Sequence, residues 1–366
     1  MKQKTDVVVV GGGPAGSISA KLLAESGIDT ILLERDTSFG KPCGGGIPYG
    51  AFKEFNIPES LIEKESKSVR IVSPSGKNLD IELGKKGIAI VERRKFDVFL
   101  RNEVVRRGVK VVEGNFINLN TEKNGYCVKA NVRGEVTEIY CKYIIATDGV
   151  NSRVRSILNI KPNKYFITVS EKIKGIETDF CEFWFSSSHA KGSYSWVFPS
   201  KEGISIGTGS IQPGTAINLL KLFKSRRGIK ENGHKRIYKI PLWKGDLYNK
   251  DNVIFAGDSA GQVMPLTYEG IYYAMKSGEF AARAIIEGKA SIYKKMWQST
   301  FQKRFYFMDK LRRYFYKNDN TIEKLIAFHR NPEVQEASIR LWLMKDSGKE
   351  SLNKYIKIFR KLICLP

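Results

Sequence analysis

The residues best placed to do chemistry lie in a few short segments. Gly11, Gly13 and Gly16 stand at GxGxxG spacing in GGGPAG. The first such glycine allows a tight turn, the second lets backbone approach a pyrophosphate, and the third lets helix and strand pack closely. Glu34 follows 23 residues after Gly11, placed to accept hydrogen bonds from a ribose. A lone cysteine, Cys43, sits in GKPCGGGIPYG (residues 40–50). Its glycines and prolines exclude an ordinary helix or strand. Two aspartates, Asp148 and Asp258, each close an apolar run and are followed or preceded by glycine (Gly149 and Gly257).

These residues need elements to hold them. TDVVVV (residues 5–10) reads as a buried parallel strand, SISAKLLAESG as a helix, and IDTILLER as a second buried strand ending at Glu34. Strand, glycine turn, helix, strand and acid together define a dinucleotide-binding unit. The helix start, Pro14 and Ala15 included, offers amides and a partial positive charge to the phosphates. Three later segments select FAD. VERRKFDVFL puts Arg93 at the start of an RxxFD pattern opening a helix, within reach of ribose or phosphate. YIIATDGVNSRVR is a strand ending in Asp148-Gly149. NVIFAGDSAGQVMPLTYEGIYYAMKSG is a strand ending in Gly257-Asp258, a loop, then Glu269-Gly270-Ile271 opening a long helix. An aspartate after a strand end can accept from ribityl hydroxyls, and a helix N-terminus can stabilise negative charge on a reduced flavin.

The bulk numbers bound the rest. A chain of 366 residues supports two domains, or one with an insertion, and 42% hydrophobic content makes it globular. Five cysteines (Cys43, Cys127, Cys141, Cys181, Cys364) form no CxxC pair, and three histidines (His189, His234, His329) are scattered. A disulfide framework and a metal site are therefore not expected, and the location is expected to be reducing and cytoplasmic. No signal peptide is visible and no run reaches the ~20 apolar residues that span a bilayer. Net charge is +23, from 61 Lys and Arg against 38 Asp and Glu. Residues 289–366 carry +11 of it (18 against 7). Nucleic acid, an anionic membrane surface and a merely Lys-rich composition compete to explain this excess. No arginine/aromatic RNA module is recognisable.

GGGPAG, Glu34, Arg93, Asp148-Gly149 and Gly257-Asp258 resemble the pattern of glutathione-reductase-type flavoproteins of the p-hydroxybenzoate-hydroxylase-like group. Within it, KPCGGGIP, IVSPSG (71–76), SYSWVFP (193–199) followed by GISIGTGS, and GDSAGQVMPLTYEGIYYAMKSG look like the geranylgeranyl reductase family, over roughly residues 5–290. The resemblance implies an α/β fold: a Rossmann-type FAD-binding domain (1–45, 91–160, 245–290), an inserted antiparallel β-sheet substrate domain (46–90, 161–244) and a C-terminal helical tail (291–366). It implies saturation of prenyl double bonds by hydride from reduced flavin, on a geranylgeranyl or polyprenyl lipid. The electron donor is NAD(P)H or a ferredoxin-like protein; no second GxGxxG unit is present. It implies cofactor contacts at Gly11, Gly13, Pro14, Ala15, Gly16, Glu34, Arg35, Cys43, Gly44, Gly45, Gly46, Arg93, Ile117, Asp148, Gly149, Gly257, Asp258, Gly270 and Ile271. Substrate contacts fall at Tyr194, Trp196, Phe198 and Pro265. Cys43 is the catalytic candidate, beside the flavin ring, with a packed structural thiol as the alternative.

Residues 175–239 switch to strand patterning dense in aromatics, which suits either a sheet core or a groove for a polyprenyl chain. Tyr194, Trp196 and Phe198 share one strand face. In the tail, Leu352, Tyr355, Ile356, Phe359, Leu362 and Ile363 form a stripe, with Lys354, Lys357, Arg360 and Lys361 off it. That reads as a membrane-surface helix or as one packed on its own protein. Competing activities are a monooxygenase or halogenase of the same fold, an RNA-directed flavoprotein, and a redox partner with no organic substrate. SYSWVFP distantly echoes the halogenase WxWxIP pattern, with Tyr194 and Phe198 at the departures.

Overall fold

The computed structural model describes residues 2–84, 87–345 and 349–363. Its centre is a six-stranded sheet ordered Asn249–Lys250, Val253–Phe255, Tyr143–Ala146, Val7–Val10, Thr30–Glu34, Lys110–Glu113. All neighbours are parallel except the two-residue edge strand. Val7–Val10 is buried on both faces because each side is covered. Val7 and Val9 face the helices Pro14–Glu25, Arg93–Arg106 and Ile271–Ile286. Val8 and Val10 face a four-stranded sheet built from Lys2–Lys4, Asn115–Glu122, Gly125–Val132 and Glu135–Cys141. An unbroken β-branched run is what such a two-sided position requires. Helix Ile271–Ile286 crosses Pro14–Glu25 at Gly278, where a Cβ would lie 2.1 Å from the Ala15 carbonyl oxygen.

A seven-stranded sheet forms the second half, ordered His234–Pro241, Tyr165–Lys174, Gly203–Ser210, Ser195–Ser200, Cys181–Trp184, Ser68–Val72, Asn78–Glu82. It is not wholly antiparallel: Cys181–Trp184 runs parallel to Ser68–Val72. One face packs on helix Ala216–Arg227 through Val169, Val197, Ile204 and Ile206. The other face looks back toward the FAD-type half. A small sheet of Gly46–Pro48, Ile62–Ser66 and Ile88–Val91 links the two.

The C-terminal region is more than a tail. Helices Ile292–Trp297, Lys303–Phe315, Asp319–Phe328, Pro332–Trp342 and Lys349–Ile363 fold back onto the body, with a π-helical turn at Gln298–Gln302. The last helix buries Leu352, Tyr355, Ile356 and Phe359 against Phe307, Phe315, Phe328 and His329, leaving Lys354, Lys357 and Arg360 exposed. Its apolar stripe is thus used inside the protein. The side chains of Lys361, Leu362 and Ile363, and Cys364 altogether, lie outside the described residues. Among the described residues, no helix is long and apolar enough to cross a membrane. Cys43, Cys127, Cys141 and Cys181 are free, and no cluster of metal-ligating side chains occurs among the described residues.

Candidate active site

The glycine turn is built by close packing. Gly11 has φ +103°, and its Cβ would lie 2.5 Å from the Thr147 carbonyl oxygen. A Cβ on Gly16 would lie 1.9 Å from the Gly11 carbonyl oxygen, so Gly16 holds the helix against the turn and does not itself line the cavity. Gly13 is the opposite case. It caps helix Pro14–Glu25, lines the cavity, and a Cβ there would meet nothing within 4 Å. Glu34 sits at the same wall, its carboxylate accepting from the Gly12 and Asp36 amides. Arg101, which sequence reasoning missed, clamps the turn. It is 3% exposed and donates from Nη1 to the Gly12 carbonyl (2.9 Å) and from Nε to the Thr37 carbonyl (2.9 Å). Its signal was present: Arg93, Asp97 and Arg101 recur every four residues, on one helix face.

From this turn a cavity of about 570 Å³ runs between the two halves. Pro14, Ala15, Arg35, Asp148, Gly149, Gly257, Asp258, Gly270 and Ile271 line it with the glycine turn. Asp148 Oδ2 accepts from the Val154 amide (3.1 Å), while Oδ1 is buried without a partner. Burial raises the Asp148 carboxyl above its ordinary value, against bonds from Ser152 and backbone amides. Asp258 pairs with Lys41, whose ammonium also lies over the Tyr238 ring. Burial alone would lower Lys41, but Asp258 and Tyr238 more than offset this and raise it. Two helix N-termini, at Pro14 and Ile271, open on this one cavity. An open glycine face, an orphaned carboxylate oxygen and two such termini fit FAD.

Cys43 lines the middle of the cavity. Its Sγ accepts from Arg93 Nη1 (3.2 Å) and from the Gly45 amide (3.2 Å). Arg93 is in turn locked to Asp97 by bonds of 3.1 and 2.9 Å, with 7% and 3% side-chain exposure. The three glycines after Cys43 answer to the protein's own walls. Gly45 has φ +78° and its Cβ would lie 2.3 Å from the Val91 carbonyl oxygen. A Cβ on Gly44 would lie 2.8 Å from the Phe198 ring, and one on Gly46 3.2 Å from it.

Beyond Cys43 the cavity turns apolar. Tyr194, Trp196 and Phe198 line it together, with Phe183 edge-on to Phe198 (5.4 Å) and to Tyr194 (5.2 Å). The far wall comes from the C-terminal helices: Tyr316, Leu325, Ile326, His329, Ile339 and Trp342. Sequence reasoning gave these no role in the site. Tyr316 OH donates to the Leu266 carbonyl (2.9 Å) and Tyr194 OH to that of Thr267, tying this wall to the loop before Ile271. Two residues expected to make contacts do not line the cavity. Ile117 sits at a bulge in Asn115–Glu122, and its neighbours Asn115 and Phe116 line the cavity instead. Pro265 is buried off the wall, which Leu266 and Thr267 form.

The parallel sheet with its glycine turn and acid-lined cavity defines a Rossmann-type flavoprotein, and comparison with known proteins agrees. The family model described as FAD binding domain matches residues 4–287. The chain is 31% identical over 93% of its length to a chloroplastic geranylgeranyl diphosphate reductase of Nicotiana tabacum, covering 81% of that protein. It is 32% identical over 78% of its length to a digeranylgeranylglycerophospholipid reductase of Methanococcus vannielii, covering 78% of that protein. The chain belongs to the FAD binding domain family and, within it, to the geranylgeranyl reductase family. A solved geranylgeranyl bacteriochlorophyll reductase-like protein from Thermoplasma acidophilum superposes with TM-score 0.85 at 24% identity, covering 99% of this chain and all of that one. A flavin-dependent brominase superposes with TM-score 0.78 at 19% identity, covering 98% of this chain and all of that one. The fold is therefore shared by both reaction types.

Proposed function

We propose that this protein saturates carbon–carbon double bonds in geranylgeranyl or longer prenyl chains, using FAD. One observation carries the reading: the cavity runs from the glycine turn, past Cys43, into an aromatic and aliphatic arm closed by the C-terminal helices. The reductases to which the chain is about 30% identical support it. An isolated alkene is a poor hydride acceptor, so the reaction needs a reduced flavin and a dry, shaped site.

FAD, when bound and reduced, supplies a hydride to one alkene carbon. Cys43 holds a proton at Sγ for the other carbon, so C=C becomes CH–CH and the sulfur regains its proton from water. The Arg93 and Gly45 donors aimed at Sγ hold the charge that the proton leaves behind. Trp196, Phe198 and Phe183 align the chain and exclude water. The electron donor is NAD(P)H or a ferredoxin-like protein. A lipid substrate brings the protein to an anionic membrane surface; with the last helix's apolar stripe buried, its exposed lysines make that contact electrostatic.

The test is anaerobic. Dithionite-reduced holoenzyme is incubated with geranylgeranyl diphosphate and with geranylgeranylated glycerophospholipid, and products are weighed by mass spectrometry. Products heavier in two-hydrogen steps are expected; none with either substrate sinks the reading.

A further inference from the structure

Behind the Cys43 loop lies a second, smaller concavity of about 70 Å³. Lys41, Pro42, Cys43, Gly44 and Arg93 line both spaces, so the loop is a wall between them. The seven-stranded sheet is the common floor. Along Tyr165–Lys174 alternate residues share a face: Phe166 and Thr168 look into the large cavity, Ser170 and Lys172 into the small one. On the adjacent strand Ile240 and Tyr238 look into the large cavity, Arg236 and His234 into the small one. Register sets Arg236 beside Ser170, and Lys172 between His234 and Ser205. One sheet face thus changes from aromatic to basic as it passes beneath Cys43.

Among the described residues these polar groups have no ion-pair or hydrogen-bond partner, although Lys172 lies near enough to Glu92 and Glu202 to help lower both carboxyls. Among the described residues Lys172 and Arg236 make no ion pair, and the Ser170 and Ser205 hydroxyls make no hydrogen bond. The opposite face of the same strands differs: Glu171 there binds both Lys224 (2.9 Å) and Lys235 (3.0 Å). The two carboxylates at the small concavity take their hydrogen bonds and ion pair from the Arg93–Arg106 helix, with Lys172 adding a longer-range attraction to Glu92. Glu92 caps helix Arg93–Arg106 through the Arg94 and Lys95 amides, and Glu63 pairs with Lys95 (3.7 Å). Unpaired cations with free hydroxyls, in a space too small for a nucleotide, suit phosphate oxygens.

We propose that this concavity recognises a phosphate group through Lys172, Arg236, Ser170 and Ser205. Given the prenyl-reductase reading, on which the choice of sources rests, that phosphate is either the diphosphate end of a prenyl substrate or a phosphate of a nicotinamide dinucleotide. The second source answers a gap in the sequence, which holds no second glycine-rich phosphate turn. Either way the anion is anchored within one loop's thickness of Cys43.

Inorganic diphosphate is titrated calorimetrically into FAD-loaded wild type and the Lys172→Ala/Arg236→Ala variant. Both side chains are exposed, so fold and FAD content should be unchanged, checked by circular dichroism and absorbance. Binding should weaken at least about tenfold in the variant. Equal binding by both proteins, or none by the wild type, overturns the proposal. The source is read separately. A tenfold KM rise for geranylgeranyl diphosphate but not geranylgeraniol, under dithionite, assigns the site to the prenyl substrate. A like rise for NADPH in flavin bleaching without prenyl substrate assigns it to the nucleotide; no change in either overturns the site's role. Failure of the wild type to reduce any alkene would sink the prenyl reading, while the diphosphate titration still judges this site alone.

Discussion

Asp97→Asn tests whether the Arg93–Asp97 pair is the frame that holds Cys43. The two side chains are 7% and 3% exposed and share bonds of 3.1 and 2.9 Å. Burial opposes the Arg93 charge, but Asp97 and then Cys43 raise its pKa well above the ordinary value. Arg93 cannot escape by losing its proton. The variant therefore leaves a buried cation facing a neutral amide. Breaking a buried pair costs about 3–5 kcal/mol. The asparagine carbonyl keeps one guanidinium bond, returning about 1 kcal/mol, so a net loss of about 2–4 kcal/mol is expected. That is a large share of a typical ~5–15 kcal/mol. The assay is the urea midpoint of FAD-free protein at unchanged slope, with the loss nearly independent of salt because the pair is buried. An Arg93→Met/Asp97→Leu double variant should recover most of the stability, since it strands no charge. It should still turn over poorly, having lost the donor to Sγ. A loss under about 1 kcal/mol in Asp97→Asn, or a double variant as unstable as the single, refutes the reasoning.

Three further outcomes are expected. Gly16→Ala puts a Cβ 1.9 Å from the Gly11 carbonyl oxygen, backbone against backbone, and should cost about 1–3 kcal/mol and abolish FAD retention; normal flavin absorbance after gel filtration would contradict this. Cys43→Ser should keep FAD but lower dithionite-driven alkene reduction at least tenfold; unchanged turnover removes Cys43 from the chemistry. Asp148 has a folded pKa raised above 3.8, chiefly by burial, so its contribution to stability is full below pH 3.8 and is lost as pH rises through the folded value. Asp148→Asn should therefore stabilise the FAD-free protein at pH 7 while weakening FAD binding, and a variant less stable than wild type at pH 7 would overturn that sign.

What the sequence revealed and what it hid divide along physical lines. Local requirements were legible. Gly16 meets Gly11 and Gly11 meets the end of the neighbouring strand at Thr147, and GxGxxG spacing between a strand and a helix identified both. Asp148 and Asp258 follow strands whose apolar runs were unmistakable. Arg101 was legible in principle, because a four-residue repeat with Arg93 and Asp97 needs only helical geometry. Ile117 lies at a bulge between Phe116 and Asn118 that changes which side chain faces the cavity, and no residue type marks that shift. The C-terminal wall was hidden for a different reason. Tyr316, Ile339 and Trp342 reach the cavity by long-range folding back, and an amphipathic pattern says that a stripe is buried without saying against what. The same ambiguity left a membrane face open as a reading of Leu352, Tyr355 and Phe359 until their partners, Phe307 and Phe328, were placed.

The fold alone is compatible with halogenation, since a brominase shares it over nearly the whole chain. The distinction rests on what fills the space beyond the glycine turn. Gly44 and Gly46 press against Phe198, so the Cys43 loop and the aromatic wall are mutually fitted; a side chain on the loop would push them apart. That fit places a thiol with two donors on its sulfur at the border between the polar FAD end and an apolar arm. A charged or strongly polar substrate would leave its groups unpaired against Phe183, Ile326 and Ile339, a cost of a few kcal/mol for each buried polar group. A hydrocarbon chain incurs none of that, and its anionic end, if it has one, must lie where cations are free. Lys172 and Arg236, which make no ion pair among the described residues, line the concavity on the far side of Cys43. On the proposed reading, one sheet face serves hydrocarbon on one side of the loop and phosphate on the other, and the Lys172→Ala/Arg236→Ala titration decides the second half of that reading.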